Sequence, residues 1–289
     1  MPIAQNLSNA LVLASTYILM AVGLTMVYGV LKILHIAHAA VYTIGAFIGL
    51  LMFGWIGNFW LALVAAMLAS GVVGVLIYRA TYFYMLDAPR IVPLIASIGL
   101  FVMLTDLLQK DFLMGPYQKA FPAGGAGMPR IRTEYFSITP KQMLVLVVAI
   151  VLITILYLVQ TRTRLGLSWQ AAAMDRDMAA AVGVNLNQVV ALNFFIGSAL
   201  AGAGGVLVGV YNNSVFATMG DLVSYKAFII IVLGGMGSVP GVIVASVVLA
   251  IIENFLVASV GYVLPRDAIA FLVLILMLMF RPHGLLGRE

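Results

Sequence analysis

The sequence predicts an all-α polytopic membrane protein with about eight or nine transmembrane helices, some of them broken or re-entrant and arranged in two inverted repeats. Its 289 residues are 64% hydrophobic and only 9% charged, and the mean hydropathy is +1.14. A soluble domain with so few charged residues could not solvate its surface. Runs of about 20 nearly uncharged residues, long enough to cross a bilayer, recur along the whole chain. We therefore expect one transmembrane domain over residues 1–289.

The apolar runs predict nine candidate spans, two of which are irregular. The stretch 223–236 is too short to cross a hydrocarbon core of about 30 Å at a rise of about 1.5 Å per residue. The first stretch continues directly into polar residues at 31–38. Both are predicted to be broken or re-entrant helices. The candidate spans are 7–30, 36–55, 58–79, 91–110, 141–160, 187–210, 223–236, 240–258 and 265–280.

The segment LKILHIAHAA, residues 31–40, places Lys32, His35 and His38 between two apolar runs. A helix inside a membrane is interrupted only where protein or a water-filled cavity receives the freed backbone groups, and ionisable side chains at that depth usually face a pathway. The segment is either a solvated loop or a half-buried kink. In the second case His35 and His38, together with Tyr42 one turn later, are predicted to line a substrate pathway.

A second interruption lies at LGGMGSVPGV, residues 233–242. Its glycines allow positive φ or close backbone approach next to Pro240. Paired Gly- or Pro-interrupted segments in the two halves of a chain are typical of transporters with inverted repeats. The repeats would centre on 23–45 and 226–245, although no residue-level identity links the two halves. The glycines predicted to act in gating are Gly234, Gly235 and Gly237.

Asp106 and Glu253 are carboxylates within otherwise apolar predicted helices. Charged groups in a membrane are costly and usually face the bundle interior or a pathway, so both are pathway candidates. Asp106 can also be a helix-end residue that reaches the interface. Glu253 lies about a dozen residues into its apolar run, which favours the interior and a partner such as Asn254 or a group on a neighbouring span.

Two polar segments interrupt the apolar sequence. Residues 111–140 are rich in glycine and proline and are predicted to form an extramembrane loop. Residues 165–185 are alanine-rich and are predicted to form a short amphipathic helix outside the membrane. Lys and Arg residues divide eight against seven between the two sides of this topology, with Lys226 and Arg266 on the same side. Charge bias therefore does not orient the chain.

The sequence contains no signature of catalysis. It has no cysteine, which excludes disulfides, thiol catalysis and cysteine-based metal sites. It also has no HExxH motif, no GxSxG motif and no Walker A loop. His35 and His38 could share a metal ion, but no third donor lies near them in sequence, so no metal site is predicted. We expect a transport subunit that is not an enzyme and binds no cofactor. If ATP drives transport, a separate chain hydrolyses it.

Four separated motifs lie in order along the chain: GLTMVYGVLKILHIAHAAVYTIGAF (23–47), RTRLGLSWQAAAMDRDMAAAVGVN (162–185), LGGMGSVPGVIVASVVLAIIEN (233–254) and RPHGLLGR (281–288). Together they resemble the LivH-type permeases of branched-chain amino acid ABC importers, a family that includes importers of urea, short amides and other small carboxylates. The resemblance implies a multi-pass subunit of the bacterial inner membrane. It also implies a second permease, either LivM-like or a second copy, with two cytosolic ATPases and a periplasmic binding protein as partners.

The same resemblance implies an orientation and a coupling element. The 111–140 loop would be periplasmic, whereas the 165–185 helix and the C-terminal tail would be cytoplasmic. The helix would then dock on the ATPase, and we expect its alanine face to make the contact. The residues predicted to serve ATPase coupling are Gly166, Ala172, Asp175, Ala179, Gly183 and Asn185.

The chain departs from the family pattern at the first interruption. The family usually has Asn-Phe-Ala-His-Gly-Glu where this chain has His35 to Ala40, so His38 is retained but the glutamate is lost. This chain has Ala40 in place of the glutamate and His35 in place of the asparagine. The interruption is therefore less suited to binding a cation than the family pattern is. The cargo is therefore either a branched-chain amino acid or a related small apolar carboxylate or amide. If the binding protein alone selects the cargo, position 40 can vary without effect.

The alternative function is a stand-alone secondary transporter or channel for a small solute. Such a carrier would use Asp106, Glu253 and the two histidines to carry protons or ions. The predicted amphipathic helix at 165–185 favours the ABC permease, because a self-sufficient carrier does not need a docking helix.

Overall fold

The computed structural model describes residues 3–86, 88–123, 125–133, 136–260, 265–281 and 284–286. These residues are almost entirely helical, and the all-α fold class is confirmed. A 3-10 helix covers Tyr82–Met85. The α-helices are α1 (Ile3–Leu31), α2 (His38–Ile56), α3 (Phe59–Ala80), α4 (Ile91–Leu108), α5 (Pro140–Arg162), α6 (Arg164–Met174), α7 (Arg176–Ala181), α8 (Leu186–Asn212), α9 (Asp221–Gly234), α10 (Val239–Val260) and α11 (Arg266–Phe280).

Seven of the described helices are long and apolar enough to cross a membrane, namely α1 to α5, α8 and α10. The other two apolar helices are shorter, with 14 residues in α9 and 15 in α11. At about 1.5 Å per residue, α9 is only about 21 Å long, less than the thickness of a hydrocarbon core. The nine predicted spans therefore correspond to seven long helices and two short ones.

Two helices, α1 and α8, form the buried centre of the bundle. Helix α1 packs against α5, α8, α9 and α10, and α8 also packs against α2 and α3. Glycines allow the close approach: a Cβ on Gly23 of α1 would lie 2.6 Å from the carbonyl oxygen of Gly197, and one on Gly45 of α2 would lie 2.2 Å from the Cα of Gly202. Such small-residue contacts hold helices together where lipid provides no hydrophobic driving force.

The bundle has two distinct ends. The connection between α4 and α5, residues 109–139, lies at the end where α8 finishes, because β1 (Lys119–Ala120) pairs antiparallel with β4 (Ser214–Val215). Within that connection, β2 (Ile131–Arg132) pairs antiparallel with β3 (Ser137–Ile138). Helices α6 and α7 lie at the other end, where α5 finishes and α8 begins. These are called the loop end and the α6–α7 end below.

Candidate functional site

The interruption between α1 and α2 is a buried kink and not a solvated loop. Residues 32–37 separate the two helices, and Lys32 takes a positive φ of 54°. His35 and Ala37 are buried. The backbone N–H of Ala37 donates to the hydroxyl of Ser97 on α4 at 3.1 Å. Protein therefore receives a backbone group that the kink frees, as a break inside a membrane requires.

The structure brings His35 and His38 together at the start of α2. Both are fully buried, and their ring centroids are 5.8 Å apart. Nδ1 of His35 lies 2.7 Å from the hydroxyl of Tyr82, and its Nε2 has no hydrogen-bond partner within the described ranges. A Cβ on Gly23 of α1 would lie only 3.0 Å from Nε2 of His38. The imidazole of His38 therefore fits against α1 because residue 23 has no side chain.

Helix α9 begins beside the first turn of α2. The backbone N–H of Gly220, just before α9, donates to the hydroxyl of Thr43 at 3.0 Å, and a Cβ there would lie 2.2 Å from the carbonyl oxygen of Ala39. From this point α2 runs to the loop end, where Phe53 packs against Phe121, and α9 runs to the α6–α7 end. Neither helix start has a side-chain cap. Such starts carry partial positive charge and are used at substrate sites of transporters.

Two cavities lie end to end along one face of α1. The larger has a volume of about 710 Å³ and the smaller about 330 Å³. On α1, the larger is lined by Asn9, Val12, Leu13, Thr16 and Tyr17, and the smaller by Met20 and Leu24. Tyr225 of α9 lines both cavities, so it lies between them. Met20 follows Tyr17 by three positions, a rise of about 4.5 Å along the helix. The barrier between the cavities is therefore thin.

The predicted pathway residues on α2 divide between the two cavities. His35 and His38 line the smaller cavity together with Ser224 and Tyr225 of α9. Tyr42 lines the larger cavity, and its buried hydroxyl has no hydrogen-bond partner in the described chain. The first turn of α2 therefore contributes to both cavities.

Glu253 is fully buried in α10 and belongs to an ion cluster that four helices form. Lys226 of α9 places its Nζ 3.2 Å from Oε2 of Glu253. The hydroxyl of Tyr17 on α1 donates to the same carboxylate at 2.7 Å and accepts from Lys226 at 2.8 Å. Asp267, in the first turn of α11, lies 3.4 Å from Nζ of Lys226. Tyr17, Lys226 and Asp267 line the larger cavity, and Glu253 lies behind them.

Two expectations about the carboxylates turn out differently. Asn254 is not the partner of Glu253, because its side-chain amide donates to the backbone carbonyl of Asn6 at 2.7 Å. Asp106 lies near the end of α4, where its carboxylate is 3.1 Å from Nζ of Lys110, one turn on, and both side chains are mostly exposed. The structure does not bring Asp106 to either cavity, so Asp106 fits the helix-end alternative.

The glycines of the second interruption adopt the conformations that the sequence predicts. Gly235 and Gly237 have φ values of 95° and 91°, which side chains rarely allow. A Cβ on Gly234 would lie 2.5 Å from the backbone nitrogen of Val242, so the end of α9 approaches the start of α10 closely. Positive φ and close approach are confirmed at these positions. Their role in gating stays a prediction.

The C-terminal motif closes over the end of α9. The backbone N–H of Leu285 donates to the carbonyl oxygen of Leu233 at 2.7 Å, and that of Leu286 donates to Gly234 at 3.2 Å. These bonds satisfy carbonyl groups that a helix end leaves unpaired. Several residues of the RPHGLLGR motif lie outside the described residues.

The predicted coupling helix consists of two helices, α6 and α7. Asp175 separates them, and its carboxylate accepts from the backbone N–H of Met178 at 3.0 Å as the N-cap of α7. Gly183, with a φ of 88°, follows α7. The side chain of Asn185 caps α8 by accepting from the backbone N–H of Gln188 at 3.2 Å. Helix boundaries therefore account for Asp175, Gly183 and Asn185.

Ala172 and Ala179 of this segment point into the chain, which corrects the expectation that these two residues contact the ATPase. Ala172 and Ala179 are only 1% and 3% exposed. A Cβ on Gly166 would lie 2.1 Å from the carbonyl oxygen of Gln160, so α6 packs tightly on the end of α5. The small residues are needed for this internal contact. The exposed apolar side chains of the segment are Leu165, Leu167, Met174, Met178 and Val182.

Sequence reasoning missed Tyr17, Lys226 and Asp267. Lys226 was assigned to one side of the membrane, whereas it lies in the cavity wall. A signal for it was present, since it is a single lysine within the short apolar run 223–236 and such a charge is costly. Tyr17 and Asp267 gave no signal, because their roles depend on contacts with helices distant in sequence.

The family described as "Branched-chain amino acid transport system / permease component" matches residues 6–280. The branched-chain amino acid transport system permease protein BraD of Pseudomonas aeruginosa is 36% identical over 303 residues, covering 98% of this chain and 95% of BraD. The permease proteins LivH of Salmonella typhimurium and Escherichia coli are each 33% identical over 299 residues, with the same coverage. No solved structure matches the chain.

Proposed function

Because the chain belongs to the family of branched-chain amino acid transport permease components, we propose that it forms the translocation pathway for branched-chain amino acids in an ABC importer. It is a multi-pass transport subunit and not an enzyme. The observation that supports the pathway is the pair of cavities that lie end to end along α1 beside the starts of α2 and α9. The alternative of a stand-alone carrier is disfavoured, since the relatives are permease components of transport systems.

The proposed cargo is a zwitterionic amino acid. The sequence alone gave weight to cargo without an ammonium group, because Ala40 replaces the family's glutamate. Tertiary contacts bring Asp267 of α11 to the wall of the larger cavity, whereas Glu253 of α10 pairs with Lys226 behind that wall. Asp267 is a carboxylate that can contact an ammonium group, as the glutamate missing at position 40 could. It supports an amino acid over a des-amino carboxylate.

The partners are proposed from the family and from the exposed surface of α6 and α7. We expect a second permease (LivM-like or another copy of this chain), two ATPases and a periplasmic binding protein. The exposed side chains of Leu167, Met174, Met178 and Val182 form an apolar surface outside the long helices, suited to docking on the ATPase. In this arrangement the α6–α7 end is cytoplasmic, the loop end is periplasmic, and the membrane is the bacterial inner membrane. The permease would bind no cofactor, because the ATPases hydrolyse the ATP.

The test is uptake by the reconstituted importer. Proteoliposomes that contain this chain with its partner permease, ATPases and binding protein should accumulate leucine, isoleucine and valine when ATP is enclosed. A non-hydrolysable nucleotide should stop accumulation. The des-amino analogue 4-methylpentanoate should compete poorly. Accumulation by this chain without any ATPase would instead indicate a stand-alone carrier, and preferred uptake of 4-methylpentanoate would reject the proposed cargo.

A further inference from the structure

Lys226 is a buried cation with more partners than its burial requires. Its Nζ lies 3.2 Å from Glu253 and 3.4 Å from Asp267, and it also donates to the hydroxyl of Tyr17. One carboxylate is enough to neutralise a buried lysine. Glu253 is the carboxylate that does so, because it is fully buried and cannot reach the cavity. Asp267 is therefore not needed to neutralise Lys226, and it lines the cavity together with Lys226 and with its own neighbour in sequence, Arg266.

Asp267 faces the larger cavity. Its side chain is 48% exposed and lines the cavity beside Lys226. Its contact to Lys226, 3.4 Å long, is the longest of the three contacts that the ammonium group of Lys226 makes within the cluster. Partly exposed ion pairs contribute little to stability. A ligand can therefore replace Asp267 at Lys226 at small cost, and the displaced carboxylate stays beside it.

The spacing of Lys226 and Asp267 suits the two charges of an α-amino acid. In a zwitterionic α-amino acid a single carbon separates the ammonium group from the carboxylate. The distance between these two charges is therefore similar to the distance between Nζ of Lys226 and the carboxylate of Asp267. Laid antiparallel to the pair, the ligand carboxylate contacts Lys226 and the ligand ammonium contacts Asp267. Charge-assisted hydrogen bonds of this kind are the strong ones in proteins.

The rest of the cavity suits a branched apolar side chain. A volume of about 710 Å³ lies within the range of small-molecule sites. One wall carries a buried hydroxyl, that of Tyr42, without a hydrogen-bond partner in the described residues. The apolar side chains of the wall are Val12, Leu13, Val208, Phe216, Met219, Leu222 and Val223.

From this geometry we propose that the larger cavity is an amino-acid binding site in which Lys226 holds the α-carboxylate and Asp267 holds the α-ammonium of the cargo. The inference rests on the proposed transport function and assigns the residues that recognise the cargo inside the permease. Glu253 and Tyr17 act indirectly, by holding the ammonium group of Lys226 in place. A keto acid or des-amino acid lacks the ammonium and leaves Asp267 facing a second carboxylate, so it binds more weakly.

The absence of cysteine in the natural chain allows a direct test. Leu222→Cys places one thiol in the cavity wall, one helical turn before Lys226. The variant is reconstituted with its partner permease and ATPases, and labelling by a water-soluble maleimide is followed without the binding protein. Leucine at about ten times its dissociation constant should slow labelling by about tenfold. The analogue 4-methylpentanoate should not slow it. Asp111→Cys, on the exposed surface of the loop end, is the control and should label at the same rate with or without leucine.

The second step tests Asp267 itself. In Leu222→Cys with Asp267→Asn, protection by leucine should fall by about tenfold, as expected for loss of one charge-assisted hydrogen bond, and should no longer exceed protection by 4-methylpentanoate. Asp267→Glu should restore the preference for leucine. An unchanged labelling rate without ligand shows that the cavity is intact. Undiminished protection in the Asp267→Asn variant overturns the site. If leucine gives no protection in an importer that takes up leucine, the binding site is also overturned and the proposed function stands. If the importer takes up no branched-chain amino acid, the proposed function itself is rejected.

Discussion

At the scale of single residues, the ion cluster is the least expected feature of the molecule. Lys226, Glu253 and Tyr17 come from three helices and meet at the wall of the larger cavity. A buried charge is tolerated only when it is paired and its remaining hydrogen bonds are satisfied, and each member of this cluster satisfies another. The cluster therefore fixes α9 against α1 and α10.

Replacing Glu253 tests the pair. Glu253→Gln removes the buried partner of Lys226 and leaves it only the partly exposed carboxylate of Asp267, so we expect a loss of part of the about 3–5 kcal/mol that breaking a buried pair costs. The thermal midpoint of the detergent-solubilised permease should fall clearly. Adding Lys226→Met should recover part of the loss, since both charges are then gone. Asp106→Asn is the matched control, because its exposed pair with Lys110 is worth about 0–1 kcal/mol. An unshifted midpoint in Glu253→Gln would contradict the assignment.

At the scale of elements, α9 is the helix that the site depends on. It is short, it begins beside the first turn of α2, and its end is held by the C-terminal motif and by the glycines before α10. Tyr225 on α9 separates the two cavities. A small displacement of α9 would therefore change the barrier, because only about one helical turn separates the cavities.

The contact between α9 and α2 can be tested by adding one carbon. Gly220 has ordinary helical angles, so alanine is not strained there, but its Cβ would lie 2.2 Å from the carbonyl oxygen of Ala39. Overpacking of this kind typically costs about 1–3 kcal/mol. Gly220→Ala should lower the thermal midpoint and reduce uptake. Gly54→Ala on α2, where a Cβ meets nothing within 4 Å, should change neither. Normal uptake and melting in Gly220→Ala would show that the contact is looser than described.

The exposed face of α6 and α7 gives a second prediction at this scale. Met178 is 68% exposed, so Met178→Asp should leave folding intact. A charge in an apolar docking surface should weaken ATPase association and reduce ATP-driven uptake by about tenfold or more. Co-purification of the ATPase measures the first effect and proteoliposome uptake the second. The matched control is Phe112→Asp, an equally exposed position at the loop end that should have no effect. Full coupling in Met178→Asp would place the docking surface elsewhere.

At the scale of the whole molecule, the two cavities lie at different depths along α1. Residues near the start of α1 and the end of α8, at the loop end, line the larger cavity. The smaller cavity lies beside the kink after α1. Alternating access requires a site that opens to one side at a time, with a barrier that shifts between states. The arrangement of α1, α2 and α9 provides such a barrier at Tyr225.

From this arrangement we expect each cavity to be accessible from a different side of the membrane. Two nearly isosteric cysteine substitutions can measure this accessibility. Thr16→Cys lies in the larger cavity and Ser224→Cys in the smaller. A membrane-impermeant maleimide should label Thr16→Cys from the loop side and Ser224→Cys from the α6–α7 side, in vesicles of opposite orientation. Labelling of both positions from the same side would contradict the separation of the cavities.

The sequence by itself determined the fold class, the short span at 223–236, the interruption at 31–38 and the glycines that need positive φ. These features depend on the length of apolar runs and on the local chemistry of glycine, and both can be read along the chain. Only the tertiary structure decided which groups Glu253 meets, that Asp106 is exposed and that Lys226 meets Asp267. It also decided that Ala172 and Ala179 face inward. In a membrane protein the lipid-facing and buried sides of a helix are both apolar, so the polarity pattern does not show which side packs against protein. Helix packing alone determines which of the rare charged residues meet.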